Sequence, residues 1–295
     1  MSNSEKFIPQ LTADGSFTYV SPEFGEAFHS HFGAKQESFL KFVEPTQLAV
    51  VANKSVVRIL DVCYGLGYNT AAALERIWQV NPNCYVEVIG LELDPDVPQA
   101  AIAHQLFAGW DYQYTDILTE LAFQHQHESD RLKAKIILGD ARNSIQQLHQ
   151  SGFQADAIFL DPFSPPKCPQ LWTMEFIQQV TACLHKDGLL ATYSCAAAVR
   201  VAILNAGLMI GSTPPVGRRT PGTVAAYPQK TDFSSFSLSP AEKEHLLTRA
   251  AIPYRDPQLQ DAAAVILQRR QQEQQTSQLE PTSHWRKRWE EKTEN

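Results

Sequence analysis

The sequence has no Cys-x-x-Cys pair: its five cysteines, at positions 63, 84, 168, 183 and 195, are scattered and odd in number. Neither a zinc knuckle nor a disulfide framework is therefore expected. No apolar run approaches the roughly 18 residues that a membrane helix needs, so no membrane partner is expected. The opening residues, Met1-Ser2-Asn3-Ser4-Glu5-Lys6, lack the basic-then-apolar order of a secretion signal, which points to the cytoplasm. Positive charge is also in deficit. Twenty-five Lys and Arg against 32 Asp and Glu leave a formal net charge of −7, which argues against broad non-specific affinity for nucleic acid. A confined basic patch on an acidic body stays open. What remains is ordinary for a globular chain: 295 residues, 43% hydrophobic and 19% charged, with no internal repeat.

The informative stretch runs from Leu60 to Thr70. It follows the β-branched run Val56-Val57-Arg58-Ile59-Leu60 and precedes an Ala-rich helical pattern from Ala71 to Trp78. Strand, glycine turn and helix together turn backbone N–H groups and a helix N-terminus towards a polar ligand. A dinucleotide fingerprint wants a third Gly or Ala where this chain has Thr70. The form Asp61-x-x-x-Gly65-x-Gly67-x-Asn69 instead resembles the first motif of class I S-adenosylmethionine-dependent methyltransferases. That resemblance implies that Asp61, Tyr64, Gly65, Gly67 and Asn69 surround the methionine part of the cofactor. A second strand, Tyr85 to Glu92, ends in an acid whose carboxylate is placed to accept from ribose hydroxyls. Asp94 competes for that role but also reads as a turn and helix cap. Ile136 to Leu138 leads to Asp140, a candidate for the adenine amino group, with Ala141 beside it; Asp140 reads equally as an N-cap, and the two roles are compatible.

Three zones follow. Residues 1–54 form an N-terminal extension or cap, with a strand-like Ser16 to Val20 and a helical pattern near Gly33 to Val43. Residues 55–228 alternate strand and helix, with strands expected near 56–61, 85–92, 135–138, 156–161, 188–193, 207–213 and 223–227. This predicts a doubly wound α/β fold of the Rossmann-like class I type, with a mostly parallel seven-stranded sheet ending in an antiparallel hairpin. Gly109 to Lys133 is expected as a surface insertion. Residues 229–295 form a helical, charged tail, opened by the capping box Ser239-Pro240-Ala241-Glu242 and carrying a solvated or loosely ordered Gln-rich run from Gln268 to Gln278.

The chemistry is expected at Asp161-Pro162-Phe163-Ser164-Pro165-Pro166-Lys167. A buried strand delivers Asp161 to the carboxyl edge of the sheet, where open α/β sheets bind substrate. Asp-Pro-Phe is close to the (Asp/Asn)-Pro-Pro-(Tyr/Phe) pattern of methyltransferases that act on amino nitrogens. A carboxylate there accepts from the substrate N–H and aims the nitrogen lone pair; the ring of Phe163 can stack on substrate or face the cation formed. A plain Asp-Pro turn is the alternative.

Phe163-Ser164-Pro165-Pro166-Lys167-Cys168-Pro169-Gln170-Leu171-Trp172-Thr173 resembles the Phe-Ala-Pro-x-Lys-Asn-Pro-x-Met-Trp-Thr run of the methyltransferase half of the MnmC family. The resemblance extends upstream through Asp14-Gly15-Ser16, Ser21 to Ser30 and Gln36-Glu37-Ser38. Downstream it runs through Gly188 to Ser194, Val199-Arg200, Asn205-Ala206-Gly207 and Gly217-Arg218-Arg219, covering about residues 12–225. The family's Asp-Gly-Phe is Asp161-Pro162-Phe163 here, and its Gly-Arg-Lys-Arg is Gly217-Arg218-Arg219-Thr220. The resemblance implies S-adenosylmethionine as cofactor and a tRNA anticodon stem-loop as partner. It also implies methyl transfer to the exocyclic amine of 5-aminomethyl-(2-thio)uridine at the wobble position, with no metal. The FAD-dependent oxidase half of the bifunctional members is expected to be absent.

Glu37 matches a family position near the cofactor pocket and reads equally as a solvated helix start. Lys167, Arg200, Arg218 and Arg219 are candidate phosphate contacts, with plain surface charge as the alternative. Trp172 is a candidate base-stacking ring or a core residue. His29 and His31 alternate as a metal pair would, but no third ligand is evident, so packing is expected. Trp285-Arg286-Lys287-Arg288-Trp289 suits either RNA or anchorage of a terminal helix. Two other functions stay open: a small-amine transferase of the spermidine-synthase type, and a non-catalytic module that binds RNA or protein on the same fold.

Overall fold

The alternation between residues 55 and 228 forms one eight-stranded sheet in the computed structural model, which describes residues 6–217, 220–230, 233 and 235–293. Ahead of it lie a two-stranded pair, β1 (Gln10–Leu11) and β2 (Phe17–Thr18), then α1 (Ala34–Glu37), a π-helical turn over Ser38–Val43, and α2 (Leu48–Val51). The strands are β3 (Val56–Val62), β4 (Tyr85–Glu92), β5 (Gln126–Ser129), β6 (Leu132–Leu138), β7 (Ala155–Leu160), β8 (Leu184–Thr192), β9 (Met209–Thr213) and β10 (Gly222–Ala226). Their order is β5-β6-β4-β3-β7-β8-β10-β9. The five strands from β6 to β8 are parallel, and β5, β10 and β9 run antiparallel to their neighbours. Order reverses between β3 and β7, the place where such sheets leave a crevice at their carboxyl ends.

Every residue of β7 is buried, as the uninterrupted run Ala155 to Leu160 requires of a strand covered on both faces. One core lies between the sheet, the N-terminal extension and the helices α3 (Tyr68–Val80), α4 (Asp96–Ala103) and α5 (Tyr112–Gln124). A second lies between the sheet and α6 (Ala141–Gln150), α7 (Met174–Ala182) and α8 (Ala197–Asn205).

Two expectations need correcting. The sheet has eight strands, not seven, and the segment from Gly109 to Lys133 is not a surface insertion. Helix α5 buries Tyr114, Ile117, Leu118 and Leu121 in the first core, and β5 then pairs with β6. Gln126-His127-Glu128-Ser129 carries no apolar alternation because an edge strand is covered on little of its surface. Strand β6 starts at Leu132, where Leu132-Lys133-Ala134-Lys135 alternates buried and exposed.

The tail forms α9 (Pro240–His245), α10 (Ala263–Thr276) and α11 (Thr282–Thr293), and the Ser239–Glu242 capping box is present. Trp285 donates to Ala241 O at 2.9 Å and stacks on His245, and Trp289 donates to Glu244 at 2.9 Å. Both indoles thus anchor the last helix to α9. Tyr254 and Ile266 enter the second core.

Candidate active site

A cavity of about 490 Å³ lies at the carboxyl ends of β3, β4, β6 and β7. The turn after β3 forms one wall. Gly65 N donates to Glu92 Oε2 at 2.7 Å, while Leu93 N and Asp94 N donate to Oε1 at 2.8 and 2.9 Å. Glu92 therefore braces the end of its own strand against the glycine turn while lining the cavity. A carboxylate offers about four lone-pair positions, so three backbone donors leave room for about one ligand hydroxyl. Burial raises its pKa against the lowering pull of those N–H groups. Asp94 accepts from Asp96 N at 3.0 Å and pairs with Lys6, which fits its reading as a cap.

Three motif residues do not line the cavity. Asp61 is fully buried and accepts from Thr70 Oγ1 at 2.8 Å; its Oδ1 has no hydrogen-bond partner. Burial, with the Glu92 charge adding, pushes its pKa up to about 8. Gly67 caps α3 with φ +95°, and a Cβ there would lie 2.8 Å from the Tyr64 hydroxyl. Glycine is needed at 67 so that Tyr64 can pack under the turn. Asn69 points from α3 to the neighbouring strand end, donating from Nδ2 to Asp161 Oδ2 at 2.8 Å. Asp61, Gly67 and Asn69, expected as cofactor contacts, thus lie one layer behind; Tyr64 and Gly65 do line the cavity.

Asp140 lines the cavity together with Ala141 and caps α6 by accepting from Arg142 N at 2.9 Å. Its carboxylate is also gripped by the Arg142 guanidinium, Nη2 to Oδ2 at 2.7 Å. Arg142 is itself held by the fully buried Asp256 of the tail, 2.9 Å away. Burial raises the Asp140 pKa, but the hydrogen bonds and charge of Arg142 outweigh it, and the acid stays below its usual range.

Asp161 stands at the end of β7, half-buried, with its backbone N donating to Val62 O at 3.1 Å. The loop that follows is tied down from three sides. Tyr193 donates to Pro162 O at 2.9 Å, Ser164 donates to Glu26 from both N and Oγ, and Trp172 Nε1 donates to Phe163 O at 2.8 Å. The Phe163 ring stacks on Phe24 at 4.5 Å and meets Phe28 edge-on at 5.0 Å. Phe24, Glu26, Phe28 and Tyr193 fall within stretches that resemble the family, but no residue pattern marks them for the site: they lie in irregular segments or at a strand end, without hydrophobic period. The N-terminal extension supplies half of this wall.

Other expected residues fall elsewhere. Trp172 is fully buried in the second core, so it offers no face to a base. Arg200 is 2% exposed and paired with Glu242 at 2.8 Å, which removes it from phosphate contact. Lys167 is exposed outside the cavity, and Arg218 and Arg219 lie outside the described residues. Glu37 is buried at the cavity wall, not at a solvated helix start, and accepts from Ser30 N at 2.6 Å. His29 sits 4.0 Å from it, and burial pushes this imidazole down to about 4, so it is neutral. No group of three metal-ligating side chains occurs among the described residues.

A family model described as S-adenosyl-L-methionine-dependent methyltransferase matches residues 104–228. The structure resembles that of MNMC2 from Aquifex aeolicus with a TM-score of 0.78 and 33% identity, over 92% of this chain and 86% of that one. An uncharacterized protein of Methanocaldococcus jannaschii is 28% identical over 276 residues, 91% of this chain and 72% of its own. The tRNA 5-methylaminomethyl-2-thiouridine biosynthesis bifunctional protein MnmC of Ralstonia nicotianae is 28% identical over 235 residues, 75% of this chain and 34% of its own. The chain spans about a third of the length of the MnmC relatives it matches. With a crevice at the strand ends, an acid closing each of β4 and β6, and the Aquifex protein matched along most of its length, the chain belongs to the MnmC-type S-adenosyl-L-methionine-dependent methyltransferases.

Proposed function

We propose that the protein methylates the exocyclic amine of 5-aminomethyl-(2-thio)uridine at the wobble position of tRNA, with Asp161 as the group that orients the amine. The observation carrying this reading is the Asp161 carboxylate, fixed by Asn69 on the wall of the cavity that Glu92 also lines. The name of the Ralstonia relative supports the substrate. The donor set suits S-adenosylmethionine. Glu92 would offer an acceptor to a ribose hydroxyl, and Asp140 and Ala141 would hold the adenine. The acids Glu37, Glu92, Asp140 and Asp161 outnumber Arg142 around a cofactor that carries a sulfonium.

Bound S-adenosylmethionine supplies an electrophilic methyl on a neutral-leaving thioether. The chain's own residues do the rest. Asp161 accepts an N–H of the neutral amine, aims its lone pair at the methyl carbon, and lies beside the positive charge that appears on nitrogen as the N–C bond forms. Fixed prolines on either side of Phe163 hold that geometry, and the aromatic cluster of Phe24, Phe28 and Phe163 lines the site away from water. The product ammonium then loses one proton.

The test is nucleoside mass spectrometry after incubation of the protein with isotopically labelled S-adenosylmethionine and tRNA bearing the aminomethyl group. The expected result is label on that amine alone. Label on a ring or ribose atom, or equal labelling of tRNA lacking the aminomethyl group, would overturn the reading.

A further inference from the structure

A second cavity, of about 230 Å³, adjoins the first and shares two of its walls: Glu37 and Tyr193 line both. Its other walls are Lys41 from the π-helical turn, Ser194 to Ala196 after β8, and Thr220. The Tyr193 hydroxyl bonds Pro162 O, so the shared wall touches the residue that follows Asp161. Lys41 is 2% exposed, and its Nζ donates to Pro214 O at 3.3 Å and Thr220 O at 3.4 Å. A lysine ammonium is thereby fastened at one side of the second cavity while acids crowd the first.

We infer that this cavity receives the base of the target nucleoside while its one-carbon amine arm passes Tyr193 to reach Asp161; the inference rests on the amine-transfer reading above. Enzymes that act on a base hold it outside the stack, in a pocket that reads its hydrogen-bonding edge. A pyrimidine edge presents carbonyl acceptors and one ring N–H, between flat apolar faces. The walls carry donor groups from Lys41, Ser194 and Thr220, a carboxylate from Glu37 and the aromatic ring of Tyr193, the group types that such an edge and face call for. The volume is below the roughly 300–1,000 Å³ of sites for drug-sized ligands, which suits a single ring. The same chemistry separates the two enzyme functions left open by the sequence. A protonated polyamine has no acceptor for the Lys41 ammonium and no flat face for the Tyr193 ring, whereas a pyrimidine has both.

The test fills the cavity. Cys195→Phe places a ring among its walls without touching Glu92, Asp140 or Asp161. It is expected to raise KM for aminomethyl-bearing tRNA about tenfold or more while S-adenosylmethionine affinity stays within about twofold of wild type. A KM unchanged in the folded variant overturns the inference. Should that variant fail to fold, thiol alkylation of the wild-type protein, mapped by mass spectrometry, replaces it. Cys84, Cys168 and Cys183 are buried, Cys63 lines the first cavity and Cys195 the second. Saturating aminomethyl-bearing tRNA should slow labelling of Cys195 and spermidine should not; no protection by the tRNA, or equal protection by spermidine, overturns the inference. Failure of the wild-type protein to methylate that tRNA at all would instead reject the amine-transfer reading itself.

Discussion

Glu92 shows how a side chain at a strand end divides its hydrogen-bonding capacity between the protein and a ligand. Glu92 gives three acceptor positions to the backbone and keeps about one for the ligand. Replacing it by Ala removes that contact and frees the Gly65 turn. S-adenosylmethionine binding should weaken about 10–100-fold, from the 1.5–3 kcal/mol of a charge-assisted bond. Calorimetry decides the matter: an unchanged dissociation constant in a folded variant would move the role to Asp94. Asn69 lies behind the cavity and holds Asp161. Its replacement by Ala should lower the methyl-transfer rate about 10–100-fold, since displacements near 1 Å carry such costs, with cofactor affinity close to wild type. Loss of affinity in place of rate would return Asn69 to the cofactor-contact role that its motif implied.

At the scale of the element, the turn between β3 and α3 stands over a buried acid. Asp61 has its pKa pushed up to about 8, while the ordinary value is 3.8. Between those values the folded state holds a proton that the unfolded chain has released, so stability falls as pH rises from about 4 to about 8. Asp61→Asn keeps an acceptor for Thr70 and removes the titration. Its melting temperature should vary less with pH over that window than that of wild type. Parallel pH profiles would contradict the assignment. The strands and their terminal acids were legible because a strand buried on both faces leaves a continuous apolar run, as β7 does, and a polar residue at its end stands out. Strand β5 was not legible, because pairing on one edge asks nothing of side-chain pattern. Nor were the contacts of Phe24 and Glu26 with the Asp161 loop, which join residues about 140 positions apart through irregular chain. Asp256 was hidden for the same reason: nothing local marks a tail acid whose partner is Arg142.

For the whole molecule, a net charge of −7 and a proposed polyanionic substrate are compatible only if positive charge is confined to one surface. Lys167 is exposed on the loop after Asp161, and Arg218 and Arg219 follow β9 in sequence, outside the described residues. Replacing both arginines by Ala should weaken tRNA binding and reduce its salt dependence by about one unit of slope per lost phosphate contact, with cofactor affinity unchanged. A slope equal to wild type would shift attention to the exposed Arg286 and Lys287 on α11, since the two indoles beside them are engaged with α9. The account as a whole stands on Asp161 as the residue that aims an amine. Its most direct test is the single-turnover rate of methyl transfer to aminomethyl-bearing tRNA for wild type and Asp161→Ala, each saturated with S-adenosylmethionine. The account predicts a rate lower by about 10²–10⁴ with cofactor affinity nearly intact; a loss of less than about tenfold in a folded variant would contradict it.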